Sequence, residues 1–147
     1  MSENNAAEMR QINYVFVDLQ NLPKPEVFHR KTKRVHYTIL VGPEQKEHIA
    51  KYLPALLERS IGVHVIPLPA NGKNALDFAL AYHLGQAVEA DPKGYFHIIS
   101  KDKDFEPLIH YLHTRNVRVT RHEDYRKLTF LPASTRKAKP LTTTAAS

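Results

Sequence analysis

Short apolar runs alternate with amphipathic stretches along most of this chain. Runs rich in β-branched and aromatic residues predict five strands, at Asn13–Asp18, Val35–Val41, Val63–Ile66, Tyr95–Ser100 and Val117–Thr120. Helical spacing of apolar residues predicts three helices, over Glu44–Arg59, Ala75–Ala90 and Phe105–Thr114. This alternation is typical of a parallel sheet covered by helices. We therefore expect an α/β fold, a three-layer α/β/α sandwich with a mainly parallel central sheet of about five strands.

Local signals refine these predicted elements. Pro54 lies inside the first helical stretch and predicts a kink or an early end there. Asn74 is the expected N-cap of the second helix. Tyr14, Tyr82 and Tyr95 lie in or beside apolar runs, so we expect them in the core rather than on a surface that stacks bases.

Length and composition narrow the class of protein. The 147 residues fit one domain, which we place at residues 12–132, between a polar N-terminal segment (1–11) and a flexible basic tail (133–147). The polar start resembles no signal peptide, and no apolar run is long enough to span a bilayer, so we expect a cytoplasmic protein without a membrane partner. Because the chain has no cysteine, any metal must be bound by oxygen or imidazole. A net charge of +6 favours a polyanionic partner.

Four aspartates are the candidate chemical groups. Asp18 ends the first predicted strand, while Asp102 and Asp104 follow the fourth. If these two strands are neighbours at the switch point of a doubly wound sheet, the three acids converge in one crevice, and Asp77 joins them if its helix begins at the same edge. Clustered carboxylates repel one another unless they are protonated or bind a cation, and Mg²⁺ or Mn²⁺ suits such oxygen ligands.

Each acid also has a structural interpretation. Asp104 could cap the helix that begins at Phe105, and Asp77 near a helix start is favoured by the helix dipole. Asp18 could form a salt bridge or cap a turn. The histidine pair His110 and His113, with His122 further on, lacks the further ligands and supporting partners of a zinc site, so we interpret all three as surface residues.

Basic residues are concentrated between the first two predicted strands. Arg30, Lys31, Lys33 and Arg34 lie in a loop that leaves the edge holding Asp18, where they could contact a phosphate backbone, and Lys73 lies next to the helix that carries Asp77. The alternative is that this loop is simply a solvated, charged surface.

Three ordered motifs resemble a known family. They are Val17-Asp18-Leu19-Gln20-Asn21, Asn74-Ala75-Leu76-Asp77-Phe78 and Ile99-Ser100-Lys101-Asp102-Lys103-Asp104-Phe105-Glu106-Pro107-Leu108. Together they resemble the PIN-like nuclease superfamily, and within it the NYN-type domains, over about residues 12 to 120. The resemblance implies an acidic pocket that binds Mg²⁺ or Mn²⁺ and hydrolyses RNA. By position, Asp18, Asp77, Asp102 and Asp104 match the family's acids, and Asn21 and Ser100 match its polar pocket residues.

One position departs from that pattern. NYN-type motifs often have Glu two residues after the first Asp, whereas this chain has Gln20, one negative charge fewer. We therefore keep three hypotheses. The first is a metal-dependent ribonuclease that uses the four aspartates as catalytic and metal-binding residues. The second is a catalytically silent RNA-binding module of the same fold, and the third is a magnesium-dependent phosphohydrolase. Whether the chain forms a homo-oligomer stays open.

Overall fold

The computed structural model describes residues 11–22, 34–58 and 60–128, with the side chain of Lys73 outside the description. Its centre is one sheet of five parallel strands, in the spatial order β3-β2-β1-β4-β5. The strands are β1 (Asn13–Asp18), β2 (Val35–Val41), β3 (Gly62–Pro67), β4 (Tyr95–Ile99) and β5 (Arg118–His122). The predicted parallel α/β architecture is confirmed.

Three α-helices cover the two faces of the sheet. They are α1 (Leu53–Glu58), α2 (Lys73–Ala90) and α3 (Glu106–Thr114). Leu56 of α1 packs with Val15 and Val17 on one face of the sheet. Leu84 of α2 and Leu112 of α3 pack on the other face, in the cluster of buried residues that includes Phe16. Since side chains alternate along a strand, β1 supplies both cores, and this accounts for its almost uninterrupted apolar sequence.

The prediction of one helix over Glu44–Arg59 was wrong. Short 3-10 turns occupy Pro43–Gln45 and Ile49–Lys51, and only Leu53–Glu58 forms an α-helix. Pro54 lies in the first turn of α1, where its missing N–H costs nothing, but it cannot donate the hydrogen bond that would extend the α-helix back to residue 50. The apolar spacing therefore marks some residues that do face the core, but Pro54 limits the regular helix to the second half of the predicted stretch.

The predicted cap of α2 was also wrong. The helix begins at Lys73 directly after Gly72, whose φ of 128° suits glycine and few other residues. Asn74 is consequently the second residue of the helix and is exposed. At the other end of the fold, β5 extends to His122 rather than stopping at Thr120, because Arg121 and His122 continue the ladder opposite Ile98 and Ile99 of β4.

Residues after β5 return to the sheet and complete one of its cores. A 3-10 turn spans Tyr125–Lys127, and the Tyr125 hydroxyl lies 2.6 Å from that of Tyr37 on β2. Tyr125 and Leu128 are both buried in the cluster that includes α1. Burial raises the pKa of Tyr37 to about 12. The two phenols therefore remain protonated, and one donates a hydrogen bond to the other.

The tyrosines predicted to be core residues differ in exposure. Tyr14 and Tyr95 are partly buried, whereas Tyr82 on α2 is 63% exposed, so its core prediction was wrong. The apolar spacing predicted the helix correctly, but the predicted buried face of the helix was wider than the observed one. No helix among the described residues is long and apolar enough to cross a membrane.

Candidate metal centre

A cavity of about 530 Å³ opens at the carboxyl edge of the sheet. It lies where β1 and β4 are neighbours, while the chain proceeds from β1 to β2 on one side and from β4 to β5 on the other. Ligands of open α/β sheets bind at this switch point. Its polar lining comes from Asp18, Gln20, Asn21, Glu44, Gln45, Asn71, Asp77, Ser100, Lys101 and Asp102.

Asp18 is the last residue of β1 and is held by Gln20. The Gln20 backbone N–H donates to Asp18 Oδ1 over 3.2 Å, and its side-chain Nε2 lies 3.5 Å from Oδ2. Burial raises the pKa of Asp18 above its ordinary value, and the backbone hydrogen bond partly offsets that shift. The glutamine that replaces the expected glutamate thus acts as a donor to both carboxylate oxygens.

Asp102 is positioned by the loop that follows β4. Its Oδ1 accepts the Asp104 backbone N–H at 2.9 Å, and its own N–H donates to Ser100 Oγ at 3.0 Å. Ser100 is itself fixed at both backbone groups, because its N–H donates to the His122 carbonyl and its carbonyl accepts from Arg121, each over 2.9 Å. The capping role predicted for Asp104 therefore belongs to Asp102, which begins the 3-10 turn Lys103–Phe105.

Asp77, Asp102 and Asp104 form a compact group of carboxylates. One oxygen from each of them lies within 4.8 Å of the others. Asp77 and Asp102 are partly buried and line the cavity, whereas Asp104 is exposed and does not line it. The first turns of α2 and the loop after β4 therefore bring together three of the four predicted acids.

The group suits a hard divalent ion. Mg²⁺ binds oxygen at about 2.1 Å, so ligands of one ion lie about 3 to 4.2 Å apart, close to the spacing observed here. Carboxylate oxygens, with waters completing an octahedral coordination, are the ligands that Mg²⁺ and Mn²⁺ prefer. Asp77, Asp102 and Asp104 thus fit such an ion, while Asp18 faces the same cavity outside the compact group.

Sequence reasoning missed several residues of the cavity wall. Glu44 adds a further carboxylate, and the Asn71 amide lies 3.4 Å from it. Sequence reasoning used Glu44 only as the start of a predicted helix and gave Asn71 no role. The pair Gly42-Pro43 could have indicated that Glu44 lies near the site. Glycine and proline interrupt a strand, and this pair follows the end of β2 at the edge that also holds Asp18.

The basic residues predicted to bind RNA are only partly placed. Arg30, Lys31 and Lys33 lie outside the described residues. Lys73 begins α2 beside the cavity. Arg34 directly precedes β2 at the opposite edge of the sheet, where its Nε lies 3.3 Å from the Gln11 carbonyl, so the fold does not bring it to the acids.

The three histidines considered for zinc have separate surroundings. His113 Nε2 lies 2.8 Å from the Val119 carbonyl, and His122 Nε2 lies 3.2 Å from His97 Nδ1. His110 is exposed. Within the described ranges, the carboxylate group is the only set of three or more ligating side chains close enough to share a metal ion.

Comparison with known families agrees with this geometry. A family model described as PIN domain matches residues 12–122, well over half of the chain. Comparison with curated proteins and with solved structures finds no match. PIN domains are a family of metal-dependent nucleases that generally use divalent ions and typically bind nucleic acid. The matched range contains all five strands and the four predicted acids, and the chain belongs to the PIN domain family.

Proposed function

We propose that this protein is a divalent-metal-dependent ribonuclease of the NYN type that hydrolyses phosphodiester bonds at the cavity between β1 and β4. The observation that supports this most is the convergence of Asp77, Asp102 and Asp104, with one oxygen of each within 4.8 Å of the others. Clustered carboxylates favour the binding of a cation, and this cluster lies where ligands bind this class of sheet.

Asp77, Asp102 and Asp104 would hold Mg²⁺ or Mn²⁺ in this proposal. When bound, the ion supplies charge neutralisation at the scissile phosphate and a more acidic water. The reaction forms a bond from water oxygen to phosphorus and breaks the bond to the leaving ribose oxygen, while the proton lost by water passes to that leaving group or to solvent. Ser100 acts as a positioning residue, because it orients the Asp102 backbone.

Asp18 provides the fourth carboxylate, from the β1 side of the cavity. Held by Gln20, it can accept a hydrogen bond from a water or from a ribose hydroxyl of the substrate. Asn21 and Lys101 also line the cavity, and a lysine there offsets the negative charge that phosphate and carboxylates would share.

Cleavage of single-stranded RNA in the presence of Mn²⁺ tests the proposal. We expect Asp77→Asn and Asp102→Asn to lower the rate at least about 100-fold, since each removes one charged ligand. Glu89→Gln is the matched control, because it removes one exposed carboxylate from the last turn of α2, at the end of the helix remote from Asp77. Equal cleavage by the wild type and both aspartate variants would sink the proposal.

A catalytically silent RNA-binding module is the second candidate, and Gln20 favours it. The Gln20 side-chain amide and backbone N–H both donate towards the Asp18 carboxylate, whereas a glutamate at this position would add a negative charge to the cavity wall. Salt-dependent RNA binding that survives EDTA, without cleavage in Mg²⁺ or Mn²⁺, would select this candidate. Cleavage gained in Gln20→Glu would then identify the missing charge as the cause.

A further inference from the structure

The outer face of α2 carries a row of uncharged side chains that begins beside the acids. Asn74, Phe78, Tyr82 and Gln86 are spaced four residues apart and all are exposed, and we call them the α2 stripe. Four residues advance about 6 Å along a helix, so successive members are neighbours on one face. Phe78 directly follows Asp77 of the carboxylate group, and the stripe therefore leads away from the candidate metal centre.

The two aromatic members are unusually accessible. Phe78 is 73% exposed and Tyr82 is 63% exposed. Single exposed apolar residues are common, but two that adjoin on one helix face form a continuous surface that folding leaves in water. This surface serves neither core of the described sheet, since both cores are completed by other residues of the helices.

Tyr82 is held in a defined orientation. Gln86 Nε2 donates to its hydroxyl over 3.1 Å, and the His83 ring meets the Tyr82 ring edge-on with 5.1 Å between centroids. A ring fixed in this way loses little conformational entropy when a flat ligand stacks on it. The contact within the stripe thus favours one orientation of the Tyr82 ring.

The four side chains of the α2 stripe are uncharged. About a quarter of the chain is charged, yet no described exposed side chain of α2 from Asn74 to Gln86 carries a charge. No carboxylate on this row would therefore repel a phosphate backbone. Unpaired bases stack on aromatic rings and form hydrogen bonds with amide side chains, and this chemistry matches a row of two rings flanked by two amides.

We infer that the α2 stripe binds unpaired bases of a single-stranded nucleic acid and guides the strand towards the acids, with one base on Phe78 and the next on Tyr82. The inference deepens the proposed function and rests on it for the identity of the ligand. It predicts a preference for single strands, because bases within a duplex cannot reach the rings.

Binding measured in EDTA tests the inference without any need for cleavage. The probe is a fluorescein-labelled single-stranded oligouridylate, followed by fluorescence anisotropy. We expect Phe78→Ala and Tyr82→Ala each to weaken binding at least about fivefold, as loss of a stacked base implies, and Phe78→Trp to restore it. Tyr111→Ala is the matched control, because Tyr111 is an equally accessible aromatic residue (59% exposed) on α3, and its loss should change affinity less than about twofold.

An abasic strand of the same length separates stacking from charge. The abasic strand should bind the wild type as weakly as the oligouridylate binds the Phe78→Ala/Tyr82→Ala double variant. The two substitutions should not change the affinity of the protein for the abasic strand. Circular dichroism and thermal melting verify that each variant is folded. Equal losses with the abasic and base-containing strands would overturn the inference, as would unchanged RNA affinity in the double variant.

Two further outcomes keep this inference distinct from the proposed function. If the wild type and the double variant bind and cleave RNA equally, the stripe is not used and the inference fails while the nuclease stands. If base-dependent binding requires both rings but no metal supports cleavage, the inference stands and the nuclease fails. A double variant that loses self-association in sedimentation, with RNA affinity unchanged, would instead assign the stripe to a second copy of the chain and overturn the inference.

Discussion

Three aspartates converge beside an accessible cavity at the carboxyl edge of the sheet, whereas the histidines and tyrosines elsewhere on the sheet are packed against neighbours. Asp77, Asp102 and Asp104 place like charges together where water can enter. His97, by contrast, lies between His122 and Asn13, at 3.2 and 2.9 Å. The first region concentrates charge, and the second suppresses it by burial. We expect a cation to stabilise the first region and acid to destabilise the second.

The largest effect should come from acid. Burial, followed by the neighbouring His122, lowers the pKa of His97 to about 3, whereas an unfolded histidine titrates near pH 6.5. Between these values the unfolded state binds a proton that the folded state does not. The free energy of unfolding therefore falls as pH falls through this window, by roughly 5 kcal/mol once pH 3 is reached.

Urea unfolding at a series of pH values measures this dependence. In His97→Gln the histidine contribution is absent, so the decline between pH 6.5 and 3 should be shallower than in the wild type. His110→Gln, which removes an exposed histidine instead, is the matched control. Identical pH profiles for the wild type and His97→Gln would contradict the proposed suppression of charge.

Divalent metal should produce the next largest effect, at the other region. Mn²⁺ at about one hundred times its dissociation constant should raise the free energy of unfolding by about 2.7 kcal/mol, because only the folded chain assembles the carboxylate group. Thermal melting with Mn²⁺ and with EDTA measures this change. Asp102→Asn should lose most of the increase and Glu89→Gln should retain it. The same increase in both variants would place the ion elsewhere.

Gly94→Ala tests how tightly the sheet packs away from the cavity. A Cβ at this position would lie 2.6 Å from Cε2 of Tyr14. That ring cannot easily move, since it stacks on Phe96 and its hydroxyl donates to Asp91 over 2.8 Å. We expect a loss of about 1 to 3 kcal/mol in denaturant unfolding. A variant as stable as the wild type would show that this packing yields readily.

The smallest effect should be a gain. Gly85 lies within α2, and a Cβ there would meet no atom within 4 Å. Gly85→Ala should therefore stabilise the protein by about 0.5 to 1 kcal/mol, because alanine favours helix and reduces the entropy of the unfolded chain. The same unfolding experiment measures it and serves as a matched control for Gly94→Ala. A loss of stability would mean that this face of α2 requires glycine for another reason.

The strands could be predicted because they depend on short-range patterns, and the convergence of the acids could be predicted from a general rule of parallel sheets once β1 and β4 are neighbours. β1 and β2 are apolar runs with clear limits, and the carboxyl ends of neighbouring parallel strands must share an edge. The division of the acids could not be predicted in the same way. Asp102 rather than Asp104 caps the turn, and Asp18 lies outside the compact group, because these outcomes depend on backbone angles and side-chain directions set by the whole fold.

Helix limits and exposure were the other failures, and they share a physical cause. Apolar periodicity shows that one face of a segment is buried, but it does not locate the first helical residue, which Pro54 and Gly72 determine here. Nor does it state how wide the buried face is. Tyr82 was therefore predicted to be a core residue, although it is exposed in the structure.

The hydroxyl contact between Tyr125 and Tyr37 has a practical consequence for anyone who expresses parts of this chain. The family match ends at residue 122, yet Tyr125 and Leu128 are 2% and 0% exposed. A fragment cut at the limit of the match would leave a hole beneath β2 and uncover the apolar side of α1. The smallest unit that we expect to purify as a folded protein therefore extends at least to Leu128, and we expect a fragment that ends at residue 122 to be less stable.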